Sequence, residues 1–131
     1  MSPTRRRTTS PTPPASLLLF PGAGSDREHS SLVAIEAAVA PRTCVRADFP
    51  YRKAGRRAPD RAPVLLQGVE DEAAAIDGPL VLGGRSMGGR MCSMAVAEGL
   101  APRAVGLVLI SYPLPPPGKP DKLRVEHLPQ L

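Results

Sequence analysis

Residues 83 to 90 read Gly-Gly-Arg-Ser-Met-Gly-Gly-Arg and directly follow the apolar run Leu80-Val81-Leu82. The apolar run predicts a buried strand. The residues that follow the turn (Met91, Met94, Ala95, Val96, Ala97) predict a helix. Glycines doubled on both sides of Arg-Ser-Met compress the connection into a sharp turn with Ser86 at its tip. A chain that turns straight from a buried strand into a helix is building a parallel α/β sheet.

Gly84-Arg85-Ser86-Met87-Gly88 fits G-x-S-x-G, the pattern of a nucleophile elbow. A serine hydroxyl is a weak nucleophile until a neighbouring base takes its proton. It must also stand clear of the sheet so that an acyl carbon can reach it. A tight strand-to-helix turn presents it so, and small residues at Gly84 and Gly88 relieve the crowding this causes. The helix that follows aims its free N–H groups at the same point, which makes the Met87 N–H a candidate oxyanion donor. The competing reading is a glycine-rich turn of a nucleotide-binding domain. The run is not G-x-G-x-x-G, and Gly88 is followed by Gly89-Arg90 instead of Lys-Ser/Thr.

A second glycine turn has the same context. Ser16-Leu17-Leu18-Leu19-Phe20 predicts a short apolar strand, and Pro21-Gly22-Ala23-Gly24-Ser25 follows it. A glycine-rich loop after such a strand is where the elbow's second oxyanion donor is expected. Ala23 is the candidate, with Gly24 as the alternative.

The rest of the chain alternates strand and helix. Helix is predicted over 31–40 with Leu32, Ile35 and Val39 on one face, and strand over 43–49. A basic, proline-bearing loop is predicted over 50–63. Helix follows over 63–77, with Leu65, Val69, Ala73 and Ile76 inward and Glu70-Asp71-Glu72 outward. Further predictions are strand over 80–82, helix over 87–98, and a continuously apolar strand over 104–110 that reads as buried. Residues 1–15 hold three adjacent arginines and four prolines with almost nothing apolar, so they are expected to form a disordered tail ahead of a core over 16–131.

Net charge is +5, carried by the first half: residues 1–61 have 11 basic and 5 acidic side chains, and residues 62–131 have 6 and 7. The basic run Arg52-Lys53, Arg56-Arg57, Arg61 lacks interleaved aromatic residues, so it reads as a solvated loop and not a nucleic-acid site. No segment is long and apolar enough to span a membrane. Cys44 and Cys92 have no metal-ligand spacing and read as small core residues, which fits a reducing cytoplasm. The prolines between Pro113 and Pro117 read as a stiff loop. Of the two histidines, His29 reads as a helix-start or surface residue and His127 as lying away from the serine, and Asp121 reads as a surface residue after the proline loop. No metal and no cofactor is expected.

Four segments occur in a telling order: residues 17–25, Asp48-Phe49-Pro50-Tyr51-Arg52, residues 83–90, and Leu109-Ile110-Ser111-Tyr112-Pro113-Leu114 running on to Pro120. Together they resemble the dienelactone-hydrolase-like branch of the α/β-hydrolases, related to the α/β-hydrolase-like domain of an NSL chromatin-complex subunit. Pro21 stands where that family often has histidine. The resemblance implies a partial α/β-hydrolase fold. Its parallel sheet has about four strands in the order second, first, third, fourth, with helices on both faces and the fourth strand as a bare edge open to oligomerisation. It also implies that Ser86 attacks a small-molecule ester, lactone or thioester, with Met87 and Ala23 holding the oxyanion. The family's triad acid and histidine follow beyond a further strand. The expectation is therefore a C-terminally truncated core, and the alternative function is a catalytically incomplete scaffold or binding protein.

Overall fold

The structure, a computed structural model, describes residues 14–111. The expectations for the arginine-rich start, the proline loop, Asp121 and His127 lie outside the described residues. Four strands form one parallel sheet: β1 (Ser16–Phe20), β2 (Cys44–Arg46), β3 (Leu80–Arg85) and β4 (Ala104–Ile110), in the spatial order β2-β1-β3-β4. The helices are α1 (Ser30–Val39), α2 (Pro50–Lys53), α3 (Ala62–Ala74) and α4 (Met87–Ala97).

Alternation along β1 divides the core in two. Leu17 and Leu19 point to one face and are covered by Leu32, Ile35 and Val39 of α1. Leu18 and Phe20 point to the other, where Leu65, Val69 and Ala73 of α3 and Met91, Cys92 and Ala95 of α4 pack on them. This is the two-faced burial that a parallel sheet requires.

Several boundaries differ from the sequence expectation for definite reasons. β2 pairs only over Cys44–Arg46; Ala47 donates a last backbone bond to Leu19 and the chain then turns away. Pro50, which has no N–H for a ladder, instead starts the short helix α2 inside the expected loop. α3 stops at Ala74, where Ala73 O accepts from Ile76 N–H and also from Arg103 Nη2, which donates to Ile76 O as well and ties that end to the start of β4. The larger correction concerns β4, which stands at the sheet edge as the resemblance implied but is not buried as its apolar run suggested. Val105 is 68% exposed and Val108 and Leu109 are above a third. Among the described residues no strand lies on its outer side. The pairing skips Val105 between Leu80–Ala104 and Val81–Gly106, a local bulge on the edge strand.

Candidate active site

β1 and β3 lie side by side, and the helices after β1 and β2 leave to opposite faces. Their carboxyl ends therefore form a topological switch point, the place where such sheets hold ligands. β3 carries the elbow to this edge. Ser86 has φ 53° and ψ −119°, a left-handed backbone that a non-glycine residue adopts only under constraint. Two backbone bonds impose it: Ser86 N–H donates to Ile110 O at 2.7 Å, and Arg90 N–H donates to Ser86 O at 3.1 Å.

The flanking glycines are required sterically. A Cβ at Gly84 would lie 2.6 Å from Gly88 C and 2.7 Å from Phe20 O. One at Gly88 would lie 2.5 Å from both Phe20 O and Pro21 O. The elbow is thus pressed directly onto the end of β1. Met87 opens α4, so its N–H has no acceptor within the helix. Ser86 is half-buried, and its hydroxyl has no hydrogen-bond partner among the described residues.

The loop after β1 reaches the same point. A Cβ at Gly22 would be 3.4 Å from the Ser86 Cβ. Gly22 to Ser25 form a type II turn: Ser25 N–H donates to Gly22 O at 3.1 Å, and Gly24 takes φ +73°. Ala23 is exposed at the head of this turn.

Residues 46–52 hold the loop, a role not read from the sequence although Asp48-Phe49-Pro50-Tyr51-Arg52 stood out as a motif. The buried Tyr51 hydroxyl accepts from Gly24 N–H at 2.9 Å. Asp48 Oδ1 accepts from Arg27 N–H at 2.8 Å, and Arg52 Nη2 reaches Asp26 Oδ2 at 3.4 Å. Arg46 bonds Arg27 O, Glu28 and Glu36. Burial works to lower the Arg46 pKa, but the two glutamates outweigh it and raise it. His29 is the N-cap of α1, its Nδ1 accepting from Ser31 N–H at 3.1 Å.

Cys92 lies behind the elbow, fully buried, with Sγ donating to Gly83 O at 3.4 Å. Both cysteines are free thiols. Burial raises the pKa of each, so neither is an activated nucleophile. Among the described residues no group of His, Cys, Asp or Glu is placed to hold a metal ion, and no helix is long and apolar enough to cross a membrane.

A family model described as an alpha/beta hydrolase domain matches residues 13–131. The chain belongs to that family. Among solved structures it is similar to a pyrethroid hydrolase from Sphingobium faniae, at 20% identity and TM-score 0.61, over 79% of this chain and 42% of that one. It is also similar to an N-formylmaleamic acid deformylase from Pseudomonas putida, at 21% identity and TM-score 0.57, over 84% of this chain and 43% of that one. At these identities the likeness concerns the fold. The α/β-hydrolase chain spans 42–43% of the length of these structures. No curated protein sequence matches it.

Proposed function

We propose that Ser86 is the nucleophile of a serine hydrolase acting on a small-molecule ester, lactone or thioester, in the dienelactone-hydrolase-like branch of the family. The observation that carries this reading is the backbone of Ser86, held at φ 53° and ψ −119° between glycines pressed onto β1. A strained, fixed serine at the carboxyl edge of a central strand is the arrangement that acyl transfer needs. The hydrolase family match supports it.

In this reading Ser86 Oγ attacks the acyl carbon as its proton passes to a base outside the described residues. The carbonyl oxygen becomes an oxyanion and accepts from the Met87 and Ala23 N–H groups. Collapse expels the alcohol or thiol, which takes up the proton, and leaves an acyl-serine. Water then attacks the acyl-serine, giving the acid and restoring Ser86. Two free thiols fit a reducing, cytoplasmic setting.

A second reading has one observation in its favour. Among the described residues nothing hydrogen-bonds Ser86 Oγ, and His29 is engaged as a helix cap. The elbow would then be a structural unit of a binding or scaffold protein.

Labelling with a fluorophosphonate probe separates the two. The hydrolase reading expects labelling of the native protein that disappears in Ser86→Ala. A folded protein that takes no label supports the scaffold reading and ends the first.

A further inference from the structure

The type II turn at Gly22–Ser25 leaves two N–H groups unused by the turn itself, those of Ala23 and Gly24. Both face the question of which serves Ser86, and the structure distinguishes them. Gly24 N–H is spent on the Tyr51 hydroxyl at 2.9 Å, across 27 residues of chain. Ala23 N–H makes no hydrogen bond among the described residues.

We propose that Tyr51 is a positioning residue, whose buried hydroxyl fixes the Gly22–Ser25 turn and leaves the Ala23 N–H as the free donor beside Ser86. The inference rests on the hydrolase reading and deepens it by assigning the second donor and what holds it.

The geometry makes Tyr51 suited to this. Its ring is fully buried on α2, so the hydroxyl has little freedom to follow a moving loop. The neighbouring Phe49 ring packs on Phe20 at the end of β1, with centroids 4.8 Å apart. Pro50 fits closely over Gly68 of α3, where even a Cβ would lie 2.9 Å from Pro50 Cδ. α2 is thus fixed to the core on two sides, and it carries that rigidity to the turn through one bond. Asp48 and Arg52 hold the loop further on, at Arg27 and Asp26, whereas Tyr51 acts on the turn itself.

The test uses the full chain and two readouts on wild type and Tyr51→Phe. The first is amide hydrogen exchange at Gly24, followed by NMR with Leu18 and Val69 as core references. The second is the kinetics of phosphonylation of Ser86, split into a maximal rate constant and a half-saturating probe concentration. The expected result is a protected Gly24 amide in wild type that exchanges at least about tenfold faster in Tyr51→Phe, with the core references unchanged. The maximal rate constant falls roughly 10- to 100-fold, while the half-saturating concentration stays put. A general loss of folded protein would move the core references instead.

An unprotected Gly24 amide in wild type overturns the proposal, and needs no variant. So does unchanged Gly24 exchange in Tyr51→Phe, or faster exchange with an unchanged maximal rate constant. If the wild-type protein never reacts, the Ser86 reading fails by itself, and Gly24 exchange still decides whether Tyr51 holds the turn.

Discussion

A single methyl group added at Gly88 would meet backbone atoms of β1 that have nowhere to go. Its Cβ would stand 2.5 Å from Phe20 O and Pro21 O. Gly106 in β4 offers the contrast, since a Cβ there would meet only the Val81 methyls, at 3.7 and 3.9 Å. Gly88→Ala is therefore expected to lower unfolding free energy by about 3 kcal/mol, at the upper end for overpacking because backbone cannot change rotamer. Gly106→Ala should be neutral or stabilising by up to about 1 kcal/mol, because alanine is less flexible in the unfolded chain. Urea midpoints of the two variants decide this, and equal losses would refute the steric account. At this scale the sequence was informative wherever a residue's role follows from local geometry. Gly84, Ser86 and Gly88 occupy one turn, and its crowding dictates their spacing. Tyr51 and Asp48 were not legible as loop clamps. Each acts through one bond to a backbone amide over 20 residues away, and such a bond leaves no period in the sequence.

Elements were legible where a run of apolar residues set them, whether packed or not: β4 was read over its full length although it is exposed. β1, β3, α3 and α4 stood out because their apolar residues meet the core at a regular period. β2 was read too long and α2 was missed, because Asp48 and Pro50 redirect the chain through a side-chain bond and a missing N–H. Element packing also sets a pH response. Cys92 on α4 is fully buried, and desolvation raises its thiol pKa well above the ordinary 9.0. The folded state thus holds this proton more tightly than the unfolded one. Its contribution is fully present below pH 9 and is lost as pH rises above it, because only the unfolded chain then releases the proton. Stability is expected to fall by up to about 1.4 kcal/mol per pH unit above that point. Cys92→Ala should show a shallower slope in urea titrations across the same range, measured against wild type. Identical slopes would mean that the thiol ionises without unfolding.

For the molecule as a whole, the sheet order β2-β1-β3-β4 is the one that the resemblance to the α/β-hydrolases implied, and the strand patterns alone do not carry it. The implied strand order left β4 at the edge, as found, but its own run misled, since an apolar run looks the same whether its neighbours cover it or not. Ala104-Val105-Gly106-Leu107-Val108-Leu109-Ile110 contains no charge and no proline, the residues that ordinarily protect an edge. Its outer N–H and C=O groups are a template for another strand, and the bulge at Val105 is a weak barrier to pairing. The α/β-hydrolase chain is therefore expected to self-associate through this edge, forming species larger than a monomer as concentration rises. A charge at the most exposed position, Val105→Lys, would have to be desolvated in any such pairing and should shift the protein toward monomer. Its side chain lies outside the two core clusters, so the circular dichroism spectrum and urea midpoint should stay near wild type. Sedimentation velocity over a wide concentration range checks both halves of the argument. A wild-type protein that stays monomeric throughout would show that the edge is already covered. Association that persists unchanged in Val105→Lys would place the contact elsewhere on the surface.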